Sequence, residues 1–414
     1  MLTIYVAVAT FLIMTLILVA VLLIAKAKLV PSGDVKVEIN EGEREITAKS
    51  GGSLLNTLSS SKIFLPSACG GQGNCGMCKC QVVSGGGEIL PTEVGFFNRK
   101  QIKNNYRLAC QVKVKGDMEV HIPQEVLGIK KWECEVVSNH NVSTFIKEFV
   151  VKLPAGERLN FKPGSYIQID VPKYDAIKFS DMDIDERFRP EWDKVKMWGL
   201  VAKNDEETYR AYSMANYPAE GDIVMLNIRI ATPPFDRATG AWKPVNPGVC
   251  SSYIFSRKPG DKVTVSGPYG EFHILDTKRE MLYIGGGAGM APLRAQLLHL
   301  FKTLKTTDRK VSFWYGARSR KEIFYENDFR QIEKEFPNFS FHIALSDPQP
   351  DDNWTGFTGF IHQVIYDNYL KFHENPEDIE YYMCGPGPMA ESVKKMLWNL
   401  GVPKEMLMYD DFGS

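Results

Sequence analysis

Apolar and polar positions change rhythm several times along the chain. Residues 2–25 (LTIYVAVATFLIMTLILVAVLLIA) form an unbroken apolar run without a charge. About 20 such residues at ~1.5 Å each span the hydrocarbon core of a bilayer, so the run predicts a transmembrane helix over 2–25. Lys26 and Lys28 follow at once, and the positive-inside rule places the C-terminal side in the cytoplasm. Ala25-Lys26-Ala27 has the form of a signal-peptide cleavage site. The apolar run is too long for a signal peptide, however, and no basic side chain precedes it. No second stretch of this kind occurs, so the remainder is expected to be soluble and to face the cytosol.

Beyond the anchor, residues 35–39 alternate with period two and predict a strand, as do residues 43–47. Residues 53–58 predict a short helix capped by Ser53. From 131 to 272, strand-like runs at 133–138, 145–153, 166–171, 223–230 and 262–266 are separated by Gly/Pro turns, the pattern of an antiparallel β-barrel. From 280 onward the rhythm becomes mixed. Strands at 280–284, 311–315, 340–345 and 381–383 alternate with helices at 293–304, 326–335, 359–369 and 388–400, the order of a parallel α/β sheet. The expected division is a membrane helix at 2–25 and domains at 33–126, 130–273 and 275–414.

Composition narrows the function class. With 44% hydrophobic and 24% charged residues, the chain is neither disordered nor a polytopic membrane protein. Its 49 basic and 50 acidic residues leave a formal charge of −1, which gives no electrostatic reason to expect nucleic acid. Five of the eight cysteines lie between Cys69 and Cys110. That crowding suits a metal site better than a disulfide framework.

The cysteines run Cys69-Gly-Gly-Gln-Gly-Asn-Cys75-Gly-Met-Cys78, with Cys110 after thirty-one intervening residues. Four thiolates, three from one loop and one from a distant strand, can hold a [2Fe–2S] cluster. Gly70, Gly71, Gly73 and Gly76 let the loop wrap closely and bring N–H groups to the sulfurs. A structural zinc site is the alternative, but zinc ribbons present two C-x2-C pairs rather than three cysteines plus one. Cys80, two residues past Cys78, shares its strand face and is left out because four ligands suffice. The block resembles the β-grasp, plant-type ferredoxins. Their C-x4-C-x2-C spacing is lengthened here by one residue, and the extra glycine resembles the ferredoxin domain of one respiratory enzyme subunit.

Three groups in the barrel region could hold a flavin. Arg210-Ala-Tyr212-Ser213 offers a cation for phosphate, a ring for stacking and a hydroxyl. Gly248-Val-Cys250-Ser251-Ser252 could open a helix that receives a pyrophosphate. Gly267-Pro268-Tyr269-Gly270 reads as a turn that closes the barrel. Each alone is ordinary, but together and in this order they resemble the ferredoxin–NADP reductase superfamily. That resemblance implies FAD, bound by Arg210, Tyr212, Ser213, Gly248, Ser251 and Ser252, with the register over Cys250–Ser252 open. Residues 173–208 hold ten acidic and seven basic residues where smaller reductases have a short turn. They read either as a partner-docking segment or as a solvated insertion.

In the last block, a short apolar run leads into Gly285-Gly-Gly287-Ala-Gly289-Met-Ala-Pro292. Strand, glycine loop and helix in that order place a pyrophosphate on a helix N-terminus. Cys384-Gly385-Pro386 ends the last good strand, and in the superfamily this segment lies against the nicotinamide. Asp347, after the third strand, would repel the 2′-phosphate of NADP and suits ribose hydroxyls. Arg318 and Arg320, after the second strand, keep NADP open, but NADH is favoured. An aromatic near the C-terminus often shields the flavin in this superfamily, and Phe412 is the candidate. Ser213, Cys384 and Phe412 are thus the expected groups around the hydride.

Hydride transfer moves two electrons and an iron–sulfur cluster accepts one, so the modules read as a path from NADH through FAD to [2Fe–2S] and an outside acceptor. The whole chain resembles the F subunits of sodium-translocating NADH:quinone reductases. That resemblance implies a bacterial inner membrane, an outward N-terminus and cytoplasmic domains. It also implies five partner subunits in a complex of six, quinone (ubiquinone or menaquinone) reached indirectly, and sodium export by the complex. The alternatives are the reductase component of a multicomponent monooxygenase and a membrane-tethered carrier without NADH activity.

Overall fold

The computed structural model describes residues 2–29, 33–236 and 238–410. The chain divides into two compact units, Met1–Ile129 and Lys130–Ser414.

The first unit begins with a helix over Leu2–Leu29. Its segment Ile4–Leu22 has a mean hydropathy of 2.7 and no buried share, so among the described residues it is the one helix long and apolar enough to cross a membrane. Thr10 and Thr15 do not leave their hydroxyls bare: they donate back to the carbonyls of Val6 and Phe11, each at 2.8 Å. Five strands follow: β1 (Asp34–Ile39), β2 (Arg44–Lys49), β3 (Lys79–Ser84), β4 (Tyr106–Leu108) and β5 (Met118–His121). They form one sheet in the order β2-β1-β5-β3-β4. The first and last strands are parallel neighbours, and the other pairs are antiparallel. Val35, Val37 and Ile39 alternate inward on β1. The helix Leu54–Ser60 covers the sheet with Leu54, Leu55 and Leu58, and Ser53 caps it by accepting from the Asn56 N–H at 3.3 Å. This is the β-grasp arrangement.

The second unit opens with β6 (Lys130–Ser143), β7 (Ile146–Lys152), β8 (Tyr166–Val171), β9 (Tyr174–Lys178), β10 (Val201–Asn204), β11 (Thr208–Ser213), β12 (Ile223–Arg229), β13 (Phe235–Asp236), β14 (Ala241–Trp242) and β15 (Lys262–Tyr269). Six of them make an antiparallel sheet in the order β11-β8-β15-β6-β7-β12. It closes into a barrel where Met214, just past β11, bridges to Leu226 on β12. Two expectations change here. Residues 267–270 do not turn: β15 runs on through Tyr269 with an irregularity after Ser266, because Tyr269 must still reach Tyr166 across the ladder. The 173–208 segment is not a loose polar loop either. It forms the β9–β10 hairpin and a series of short helical turns, and Phe179, Met182, Ile184, Phe188, Trp192 and Met197 are buried in the barrel's own core. Its charges lie outside while one apolar side chain every few residues turns inward, a spacing too irregular to register as a period.

The rest of the unit adds β16 (Met281–Gly286), β17 (Val311–Ala317), β18 (Phe339–Leu345), β19 (Phe357–Thr358), β20 (Glu380–Cys384) and β21 (Leu407–Asp410). All neighbours are parallel, in the order β19-β18-β17-β16-β20-β21. Side chains alternate between two cores: Tyr283, Phe313 and Tyr315 on one face, Leu282, Ile284 and Trp314 on the other. Chain order reverses between β16 and β20, and such a switch point opens a crevice at the carboxyl ends of the strands. The expected helix at 293–304 begins earlier, at Met290, and passes into a π turn over His299–Thr303.

Candidate functional site

The four predicted cysteines of the first unit assemble in two pairs. Cys69 is hydrogen-bonded with Cys75, and Cys78 with Cys110. The Cys75 contact, then N–H groups of Asn74, Cys75 and Gly73, hold the Cys69 thiol well below its ordinary range, while Cys75 is pushed up. The second pair divides likewise, with Cys110 lowered and Cys78 raised. The loop reaches this shape because Gly70, Gly71, Gly73 and Gly76 all take positive φ, from +66° to +83°. A Cβ on Gly76 would stand 2.4 Å from the Phe96 ring. No three His, Cys, Asp or Glu side chains among the described residues are grouped for a single metal ion. Two sulfur pairs instead offer two ligands to each of two irons, the fit a [2Fe–2S] cluster needs and a mononuclear zinc site does not. Cys80 is fully buried and outside both pairs, its thiol pushed up to about 12 by burial.

Sequence reasoning missed the brace beneath this loop. Arg107 and Glu93, 5% and 0% exposed, pair at 2.7 Å. Glu93 also accepts from the N–H groups of Leu90 and Leu108, and Arg107 donates to the carbonyls of Gly86 and Gly87. The buried pair is thus held by further hydrogen bonds on both sides, as a desolvated ion pair requires. The bonds tie the segment that packs on the cysteine loop to the strand leading to Cys110.

In the second unit, Arg210, Tyr212 and Ser213 lie on β11, and Gly248, Cys250, Ser251 and Ser252 open the helix Val249–Phe255. The two segments meet: Tyr212 is half-buried with Cys250, Arg210 and Tyr174 around it, and desolvation pushes its hydroxyl far up. Tyr174 donates to the Val249 carbonyl at 2.8 Å. Arg210 donates to Thr208 and to the Tyr209 carbonyl. Gly248 must be a glycine, since a Cβ there would stand 2.5 Å from that of Ala231. No side chain caps the helix start. Ser251 is engaged, donating to the Gly248 carbonyl and accepting from Ala231 N–H, whereas the Ser252 hydroxyl is buried without a partner. An uncapped helix start beside a cation and a half-buried ring fits a flavin with its phosphates.

The glycine loop and the Cys384 turn meet backbone to backbone. A Cβ on Gly289 would fall 2.1 Å from the Cys384 carbonyl oxygen, and one on Gly286 would fall 2.9 Å from Met389 Sδ. Gly285 ends against Cys384 in register, and Pro292 sits in the first turn of the helix that follows. Gly385 and Pro386 continue the turn, and Pro386 lines a cavity of 1690 Å³ with Gly286, Gly287, Arg318, Asp347 and Phe360. Arg318 does not stand free in it: its Nε is 3.1 Å from Asp347 Oδ2. Arg320 donates to Asp352.

The C-terminal strand supplies a group the sequence did not announce. Ser213 Oγ donates to Asp410 Oδ2 at 2.5 Å, and Asp410 is the register partner of Cys384. Ser213, Asp410 and Cys384 thereby bring the barrel and the α/β sheet to one point. Phe412 lies outside the described residues. Around the seam, Arg294 donates to Glu220, Asp328 and the Ala215 carbonyl, and Tyr325 donates to Glu148 at 2.5 Å.

Family models match in the same order. A 2Fe-2S iron-sulfur cluster binding domain matches residues 37–115, an oxidoreductase FAD-binding domain 197–274, and an oxidoreductase NAD-binding domain 283–395. The chain is similar in fold to the Amycolatopsis cytochrome P450 reductase GcoB, with a TM-score of 0.62 at 23% identity over 91% of this chain and 98% of that one. It is 54% identical to the F subunit of the Na(+)-translocating NADH-quinone reductase of Pseudomonas paraeruginosa, over 99% of this chain and 98% of the relative. The same identity holds to the F subunit of the Haemophilus influenzae enzyme, over 98% and 97%. With cluster, flavin and nucleotide modules in one order and this identity over nearly the full length, the chain belongs to the family of Na(+)-translocating NADH-quinone reductase F subunits.

Proposed function

We propose that this chain is the NADH-oxidising, electron-input subunit of a sodium-translocating NADH:quinone reductase. FAD held here would supply the chemistry that takes hydride from NADH, and a [2Fe–2S] cluster held by the cysteines would supply one-electron transfer onward. The residues divide the work. Cys69 with Cys75 and Cys78 with Cys110 hold the two irons. Arg210, Tyr212, Ser213, Gly248, Ser251 and Ser252 hold the flavin. Gly285, Gly287, Gly289, Pro292, Gly385 and Pro386 shape the dinucleotide cleft, and Arg318 is masked by Asp347, which favours NADH over NADPH. Ser213 and Cys384 face the hydride, with Asp410 accepting the Ser213 hydrogen bond. The domains run 33–126, 130–273 and 275–414 behind a membrane helix at 2–25.

The electrons pass to partner subunits in a complex of six and through them to ubiquinone or menaquinone, with sodium export coupled in the complex. The helix is anchored in the bacterial inner membrane, N-terminus outward, with the domains in the cytoplasm. The observation that carries this reading is the near-full-length identity to the F subunits, set on a structure in which Ser213, Asp410 and Cys384 converge. A soluble monooxygenase reductase does not account for the apolar helix Ile4–Leu22. Purification from native membranes in mild detergent, with partners identified by mass spectrometry, tests it. Recovery with several polytopic subunits is expected, and recovery alone or with an oxygenase overturns it.

A further inference from the structure

Two neighbouring residues of the 173–208 insertion reach the same turn of the α/β domain. Glu191 is ion-paired with Lys321. Trp192, fully buried, donates its indole N–H to the Thr144 carbonyl at 2.8 Å, and Thr144 in turn donates both its N–H and its hydroxyl to Glu322. The turn Arg320–Glu322 follows β17 closely, starting two residues beyond Arg318. Arg318, Ser319, Lys321 and Glu322 line the cavity together with Glu191 and Lys194 of the insertion. Trp192 is immobilised between the rings of Phe145, Trp198 and Phe255, so the insertion presents Glu191 from a rigid base.

We infer that the insertion is a wall of the coenzyme cleft, and that Glu191 and Thr144 are positioning residues that fix the turn after β17 for the adenosine-ribose end of NADH. The reading rests on NADH as substrate and deepens it. The insertion then serves coenzyme affinity rather than partner docking. Two polar ties, one direct and one through Thr144, hold Lys321 and Glu322 at a fixed separation from the barrel. Loosening them blurs the site where the dinucleotide binds without touching the groups that face the hydride. The signature is a change in binding with the chemical step intact.

The test uses the detergent-solubilised full-length chain carrying its FAD. Kd for ADP-ribose is measured by calorimetry, and KM and kcat for NADH with ferricyanide as acceptor, on E191Q, T144V and the charge-swapped double variant E191K with K321E. E191Q and T144V are expected to raise Kd and KM together by about three- to tenfold with kcat within about twofold, and the charge swap to restore both. Melting temperatures are recorded in parallel. Unmoved Kd and KM in both single variants overturn the inference, whether the melting temperature falls or not. So does loss of quinone reduction by the assembled complex with KM for NADH unmoved, which assigns the insertion to docking. A wild-type chain that binds no ADP-ribose fails the NADH reading itself, whereas a binding wild type with unmoved variants fails only this inference.

Discussion

At the scale of single residues, Lys147 is the strangest ionisable group in the molecule. It is 1% exposed, its Nζ is 3.4 Å from the Phe255 carbonyl and 3.5 Å from that of Asn139, and Asp183 is the acidic group whose charge opposes its own. Burial depresses its pKa from 10.5 to about 8. Between those values the unfolded chain holds the proton that the folded chain has shed, so stability rises with pH across that window. The charged form costs on the order of 3 kcal/mol below it. Lys147→Met is therefore expected to stabilise the protein near neutral pH and to flatten the rise between about pH 8 and 10.5. Urea denaturation at several pH values checks this, and an unchanged pH slope refutes it. Nothing in Ile146-Lys147-Glu148 announces such burial, since a lysine on a strand ordinarily keeps its ammonium in water. Ser213 and Asp410 show the same limit from another side. The R-x-Y-S segment makes Ser213 legible, but its partner lies 197 residues away, and no local pattern reports a contact at that distance.

At the scale of elements, the loops are more legible than the insertion. Glycines read as close approaches, and Gly289 is one: a Cβ there meets the backbone of Cys384 rather than a side chain that can swing aside. Gly289→Ala must force the ends of β16 and β20 apart, so KM for NADH is expected to rise by about tenfold or more while the [2Fe–2S] spectrum stays unchanged. Steady-state kinetics beside visible spectra of the same preparation decide it, and an unaltered KM counts against the backbone contact as a determinant. The insertion misleads because its ten acidic and seven basic residues dominate composition, while Phe179, Met182, Phe188, Trp192 and Met197 face inward at uneven intervals that sustain no single period. The 267–270 segment misleads for a related reason: Gly-Pro signals a turn locally, and the ladder with β8 overrides it.

At the scale of the whole molecule, the cysteines proposed for the cluster all belong to the unit Met1–Ile129, and the residues proposed for flavin and dinucleotide all belong to Lys130–Ser414. Each unit holds complete sheets. Residues 130–414 produced alone are therefore expected to bind FAD and to oxidise NADH with ferricyanide at a KM within about twofold of the full chain, with no iron. Iron analysis and kinetics check it, and a failure to retain FAD shows that the first unit is needed to form the flavin site. The order of modules is legible because each has its own chemistry at its own spacing, C-x5-C-x2-C, then R-x-Y-S, then the glycine loop.

The Arg318–Asp347 pair has an evolutionary meaning. A cation of the kind that suits a 2′-phosphate stands at the cleft, with a carboxylate 3.1 Å from it. On the reading proposed here, coenzyme choice would be set by a mask over an existing binder rather than by a missing one. If that mask is what sets the choice, a lineage selected for the phosphorylated coenzyme would need no new arginine, only the loss of the Asp347 carboxylate.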